Sequence, residues 1–99
     1  MPDSEKSLNE ILHAIADPTR RRILAALKAC GGCSIGKEVG LCASDIEARV
    51  HLSQSTISHH MAILCRSGLV EATKVGQWMW YQRNEVALRQ FYRQLRKSL

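Results

Sequence analysis

The run from Leu52 to Leu69 constrains this chain more than any other: Leu-Ser-Gln-Ser-Thr-Ile-Ser-His-His-Met-Ala-Ile-Leu-Cys-Arg-Ser-Gly-Leu. Ser53 suits an N-cap, with a hydroxyl that can accept from an orphan amide of the first turn. Gly68 supplies a helix stop. The spacing predicts a helix from about Gln54 to Ser67, with Ile57, Met61 and Leu64 as one apolar stripe. Its opposite face holds Ser55, His59, Ala62 and Arg66, flanked by Thr56 and Ser58. An ordinary solvated helix face carries Glu and Lys, yet no acidic residue occurs from Gln54 to Ser67. Short hydrogen-bonding side chains without carboxylates suit a helix lying close in a DNA major groove, touching phosphates and base edges without repulsion.

The rest of the composition agrees. Ninety-nine residues suit a single domain spanning 1–99. A charge of +5 and a pI near 9.3 favour a polyanionic partner, nucleic acid before membrane. No apolar run approaches a membrane span, and the polar start Met-Pro-Asp-Ser-Glu-Lys gives no sign of a signal peptide. A cytoplasmic setting is expected. There the cysteines Cys30, Cys33, Cys42 and Cys65 point to metal or redox chemistry rather than structural disulfides.

Taken in order, Ser7 and Glu10 have capping-box spacing, and Leu8, Ile11, Leu12 and Ile15 continue as a helical stripe ending near Ala16. Asp17-Pro18 restarts the chain as N-cap and first helical residue, with Ile23, Leu24 and Leu27 facing inward. Arg20-Arg21-Arg22 could touch phosphate, although arginines near a helix N-terminus oppose its dipole and such triplets are usually solvated. From Cys30 to Gly40, four glycines in eleven residues predict a loop. A short helix from about Cys42 to Val50 and a tight turn at His51-Leu52 then lead into the Ser53 cap. That order is a helix-turn-helix.

Beyond Gly68 the period switches to two. Leu69–Lys74 and Trp78–Arg83 read as two strands around Val75-Gly76-Gln77, a hairpin wing with Lys74, Gln77 and Arg83 available to DNA. Trp78, Trp80 and Tyr81 are expected to pack the hairpin on the core. Asn84 caps a last helix striped by Leu88, Phe91, Tyr92 and Leu95, with Arg89, Arg93, Arg96 and Lys97 on its other side. The fold class expected is mainly α with a two-stranded β wing. The first and last helices suit a dimer interface.

The sequence resembles the ArsR/SmtB family of bacterial winged-helix repressors. Ala16-Asp17-Pro18-Thr19-Arg20 leading into Ile23-Leu24 carries the resemblance, with Leu52–His60, Leu64, Ser67-Gly68-Leu69-Val70, Gly76 and Tyr81. It implies a homodimer paired through its first and last helices that binds palindromic double-stranded operator DNA and releases it when an inducer binds. By position, Gln54, Ser55, Thr56, Ser58 and His59 carry over as DNA-reading residues. His60 projects nearer the stripe and reads as packing or a phosphate contact.

Arsenic-sensing members of that family carry a Leu-Cys-Val-Cys-Asp motif on the third helix. The matching segment here is Leu41-Cys42-Ala43-Ser44-Asp45, which keeps one thiol and replaces the other by Ser44, a poor substitute for a soft thiolate. Cys30 and Cys33, just upstream, could fold back to join Cys42 in a three-sulfur site for As(III) or Sb(III). No obligatory cofactor is implied. A redox or electrophile switch, and zinc, remain alternative uses of the same thiols, while Cys65 reads as a small core residue. The His and acidic sensor site found on the last helix of other members is missing, since no His, Asp or Glu follows Glu85. An enzyme, a thiol–disulfide oxidoreductase using Cys30 and Cys33, is the rival from another class. No βαβ pattern surrounds that pair, and Cys30 follows a helix rather than opening one. A dimer module that keeps the fold without binding DNA is the other rival, opposed by the acid-free face.

Overall fold

The computed structural model describes residues 2–29 and 41–99. Its elements are α1 (Pro2–Ile15), α2 (Pro18–Ala29), β1 (Leu41–Cys42), α3 (Ala43–Val50), α4 (Gln54–Arg66), β2 (Val70–Val75), β3 (Trp78–Arg83) and α5 (Glu85–Ser98). The mainly helical architecture with a two-stranded wing, β2 and β3, is as expected. Cys30, Cys33 and the expected Cys30–Gly40 loop lie outside the described residues.

Two boundaries differ from the sequence reading, and one strand is added. α1 begins at Pro2, so Ser7 and Glu10 sit inside the helix and form no capping box. Pro2 is already preset for a first helical position. Cys42 is not the start of α3. It closes β1, a two-residue strand too short to show a period of its own. β1 pairs antiparallel with β3, Leu41 opposite Tyr81 and Cys42 opposite Trp80, making the sheet order β1-β3-β2. In the wing, Val70 pairs with Arg83 and the register runs up to Val75 opposite Trp78. Gly76 turns the hairpin at φ 61°, in the left-handed region that glycine enters without a Cβ clash.

The core is aliphatic and is fed by every helix. Ile11 and Ala14 of α1, Ile23, Leu24 and Leu27 of α2, Ile46 and Val50 of α3, and Ile57, Met61 and Leu64 of α4 are all buried. Leu69, Val70, Leu88 and Phe91 complete it, with Tyr81 and Leu95 packed at its margin. At roughly 1.5–3 kcal/mol for each large aliphatic side chain removed from water, this cluster is the main stabilising contribution. Tyr81 therefore packs as expected. Trp80 is half-buried, whereas Trp78, next to the hairpin turn at Gly76, is 58% exposed. Tyr92 is also 54% exposed and stands off the buried stripe of Leu88 and Phe91.

Helix ends are closed by side chains. Asp17 Oδ1 accepts from the amides of Thr19 (2.7 Å) and Arg20 (3.3 Å), and Asn84 Oδ1 accepts from Ala87 N at 3.0 Å. Desolvation would raise the Asp17 pKa, but those two amides and the Arg20 guanidinium outweigh it and hold the carboxyl below its ordinary value. Arg83 is not free for DNA. It forms a two-pronged ion pair with Glu85 (2.9 and 3.2 Å) and donates to Leu24 O at 3.3 Å, tying the wing base to α2.

The turn between α3 and α4 rests on His51, whose φ of 58° is the one positive value among described non-glycine residues. Its amide donates to Glu47 O at 2.8 Å, so the left-handed residue ends α3 as a glycine commonly would. A Cβ in that region costs about 1–2 kcal/mol. Since the His51 side chain is exposed, substitution isolates the backbone effect. His51→Val is expected to lower unfolding stability by about 1–2 kcal/mol and His51→Gly to leave it equal or higher, measured by urea denaturation.

Candidate nucleic-acid interface

α3, the turn and α4 form the helix-turn-helix, and the cap of α4 is built as the sequence suggests. Ser53 Oγ accepts from Thr56 N at 3.3 Å and donates to Thr56 Oγ1 at 2.9 Å. It also lies 3.3 Å from Ser55 Oγ. At the other end Ser67 Oγ donates to Leu64 O (2.7 Å), and Gly68 leaves the helix at φ 87°. Burial of Ile57, Met61 and Leu64 turns the other face outward.

That outward face carries Gln54, Ser55, Ser58 and His59 as exposed side chains, followed by Ala62 and Arg66. Thr56 is half-buried and its hydroxyl is engaged by Ser53, so it presents its methyl group more freely than its oxygen. Lys74 and Gln77 are both exposed on the wing. Cationic Lys74 and Arg66 meet no carboxylate within ion-pair distance among the described residues. Seven sequence-predicted positions thus divide into five on α4 and two on the wing. The arrangement offers hydrogen-bond donors and acceptors at a helix N-terminus, whose free amides favour an anionic partner.

The arginine triplet has a different role from the one its charge suggests. Arg20 is buried, with Nε donating to Ala14 O at 2.5 Å and Nη2 to His13 O at 3.3 Å. Arg21 Nη1 donates to Ile15 O at 2.6 Å, and Arg22 Nη2 to Val50 O at 3.2 Å. These carbonyls close α1 and α3. The three cations oppose the dipole of their own helix but satisfy the negative ends of two neighbours. Phosphate contact by Arg20 is therefore excluded by burial. His60 is likewise half-buried, its Nδ1 3.1 Å from Arg20 Nη1, so it faces the α1–α2 junction rather than a phosphate.

Of the thiols, Cys42 is placed only by its backbone, between β3 and the start of α3. Cys65 is half-buried against the core, and desolvation pushes its thiol pKa up. The described residues contain no group of three His, Cys, Asp or Glu side chains able to hold a metal ion. None of the described helices is long and apolar enough to cross a membrane.

The family model described as "Bacterial regulatory protein, arsR family" matches residues 17–72, from the Asp17 cap into the first wing strand. The arsenical resistance operon repressor of Staphylococcus aureus is 39% identical over 85 residues, covering 86% of this chain and 73% of the relative. The transcriptional repressor SdpR of Bacillus subtilis is 36% identical over 81 residues, covering 82% and 80% respectively. Among solved structures, an ArsR-like transcriptional regulator from Rhodococcus sp. RHA1 superposes with a TM-score of 0.78 at 28% identity, over 96% of this chain and 81% of that one. Family, relatives and fold are those of transcriptional regulators rather than enzymes. The chain belongs to the ArsR family of winged helix-turn-helix transcriptional regulators.

Proposed function

We propose that this chain is a DNA-binding repressor, with residues 1–99 acting as one winged-helix unit, that releases its operator when As(III) or Sb(III) binds cysteine thiolates. The observation that carries the DNA reading is the outward face of α4, polar, exposed and free of carboxylates. Gln54, Ser55, Thr56, Ser58 and His59 read the major groove, and Lys74 and Gln77 hold the adjacent backbone from the wing. The active species is a cytoplasmic homodimer. α1 and α5 pack side by side, and Leu12 on α1 and Tyr92 on α5 remain exposed, which supports pairing through those helices. A two-fold dimer would place its two α4 helices about one DNA turn apart.

The inducer site is assigned to Cys30, Cys33 and Cys42. Two relatives bear the name of arsenical resistance operon repressor, from Staphylococcus aureus and Staphylococcus xylosus. Their names, with the retained Cys42, support a metalloid. Thiophilic As(III) takes three sulfurs and needs no protein cofactor. The backbone supports a route for release. Cys42 is bonded into β1 beside the wing strand β3 and is followed at once by α3, the first helix of the helix-turn-helix. A ligand drawing residue 42 toward residues 30 and 33 would act on both DNA-contacting parts, which is the two-site coupling that induction requires.

The test is fluorescence anisotropy of the reduced protein on DNA from its own promoter region, at fixed salt. Binding followed by release near one arsenite per subunit is the expected result. His59→Ala should weaken operator binding by about five- to a hundredfold, the loss of roughly 1–3 kcal/mol of base contact. Cys42→Ser should bind DNA like the parent and ignore arsenite. Binding that responds to oxidants and not to arsenite would overturn the metalloid and leave the repressor. No binding at all would overturn the DNA reading.

A further inference from the structure

Arg20 is the single buried charged or polar residue among the described residues, 7% exposed in a core that is otherwise apolar. A buried cation is retained only where its hydrogen-bonding capacity is met, and here the contacts come from α1, the α2 cap and α4. Nε and Nη2 are held by the last carbonyls of α1, Ala14 O and His13 O. Asp17 Oδ2, from the cap of α2, is 4.0 Å from Nη1. The remaining partner of Nη1, His60 Nδ1 at 3.1 Å, comes from the recognition helix, flanked in sequence by exposed His59 and buried Met61. The guanidinium is thus a rigid fork fixed on α1 and α2 with one prong on α4.

We propose that Arg20 and His60 are positioning residues, that their hydrogen bond sets the placement of α4 against the α1–α2 junction, and that it does so only while His60 is neutral, so operator affinity falls on acidification. The inference rests on α4 being the DNA-contacting helix. An arginine has donors and no acceptor and keeps its charge at any ordinary pH. Nδ1 must therefore accept, which requires the neutral imidazole with its proton on Nε2. Protonating Nδ1 sets a donor against a donor and one cation against another at 3.1 Å. Arg20 is pinned by two helix-end carbonyls and cannot retreat, so His60 moves, and α4 with it.

The groups around His60 set the direction. Desolvation lowers its pKa from the ordinary value, Asp17 from the α2 cap favours the charged ring, and Arg20 from α2 and His59 from α4 oppose it, with a net lowering. α1 presents its His13 and Ala14 carbonyls to the Arg20 end of the contact, while the His13 ring is exposed. With the folded value below the unfolded 6.5, the contact is fully present above about pH 6.5 and is lost as pH falls through the lowered value.

Operator anisotropy is to be measured from pH 5.5 to 8 at constant ionic strength, for the parent and His60→Asn, with circular dichroism confirming the folded state at each pH. An asparagine oxygen can take the place of Nδ1 as acceptor and does not titrate. The expected parent affinity is flat above pH 7 and falls below its transition by up to about tenfold per pH unit, while His60→Asn varies by no more than about twofold. A parent affinity that stays level or rises in acid overturns the proposal, as does an equal acid loss in His60→Asn. Amide NMR spectra of the DNA-free protein keep the two readings separate. The α4 resonances from Ser55 to Arg66 should shift together with one midpoint below 6.5 in the parent and not in His60→Asn, whether or not DNA is bound. Absence of that shift overturns the switch, and absence of DNA binding at every pH overturns the repressor reading instead.

Discussion

The polar outward face of α4 depends on one packing constraint, the complete burial of Ile57, Met61 and Leu64. An α-helix turns 100° per residue, so fixing three positions on one stripe fixes the azimuth of all the others. Ser55, Ser58, His59, Ala62 and Arg66 are thereby turned to solvent. A rotation by one residue would bring Ser58 in one direction, or Thr56 and His60 in the other, onto the buried stripe at the cost of an unsatisfied polar group. The core thus specifies which side chains are presented as well as stabilising the fold. The Ser53 cap and the Gly68 exit set the axial limits of the same helix, and left-handed His51 sets the angle at which the chain enters it.

The second constraint is electrostatic. Three arginines in the first turns of α2 should disfavour that helix, yet each guanidinium reaches a carbonyl at the end of another helix. α1 ends at Ile15 and α3 at Val50, and both ends would otherwise leave acceptors partly shielded from water. The exchange is favourable because a charged donor to a carbonyl is stronger than a neutral one, and because Asp17 supplies α2 with its own cap. It also explains why the residue type is arginine. A lysine ammonium could not span Ala14 O, His13 O and His60 Nδ1 with fixed planar donors.

Much of this was legible in the sequence. The stripe of α4, both of its limits, the wing hairpin, the caps Asp17, Ser53 and Asn84, and the helix-turn-helix order are local patterns, and local patterns survive without tertiary knowledge. What was not legible depends on partners distant in the chain. Arg20 looked like a surface charge because its acceptors lie on α1 and α4, the latter forty residues away. Arg83 looked available to DNA until Glu85 and the Leu24 carbonyl occupied it. Trp78 has the composition of a core residue and none of the neighbours. β1 escaped notice because two residues carry no periodicity, although the strand they join carries a clear one. His60 was read as packing or a phosphate contact, and only the position of the guanidinium separates the two.

The cysteines show the same dependence of chemistry on placement. Cys65 lies on α4 but is packed at the edge of the core, where burial raises its thiol pKa; burial, and then the neighbouring Cys65, likewise raise the Tyr81 phenol. Metal or metalloid ligation requires the thiolate, so the environment that holds Cys65 in place also makes it a poor ligand and a slow nucleophile. Recruiting it would mean pulling α4 from the core that fixes its azimuth. Cys42 stands in the opposite situation. Its strand is the shortest in the sheet, held to β3 by a two-residue pairing and leading directly into α3. α3, which follows it directly, packs against α4. The effector site proposed at Cys42 would therefore act on α3 without drawing Ile57, Met61 or Leu64 from the core.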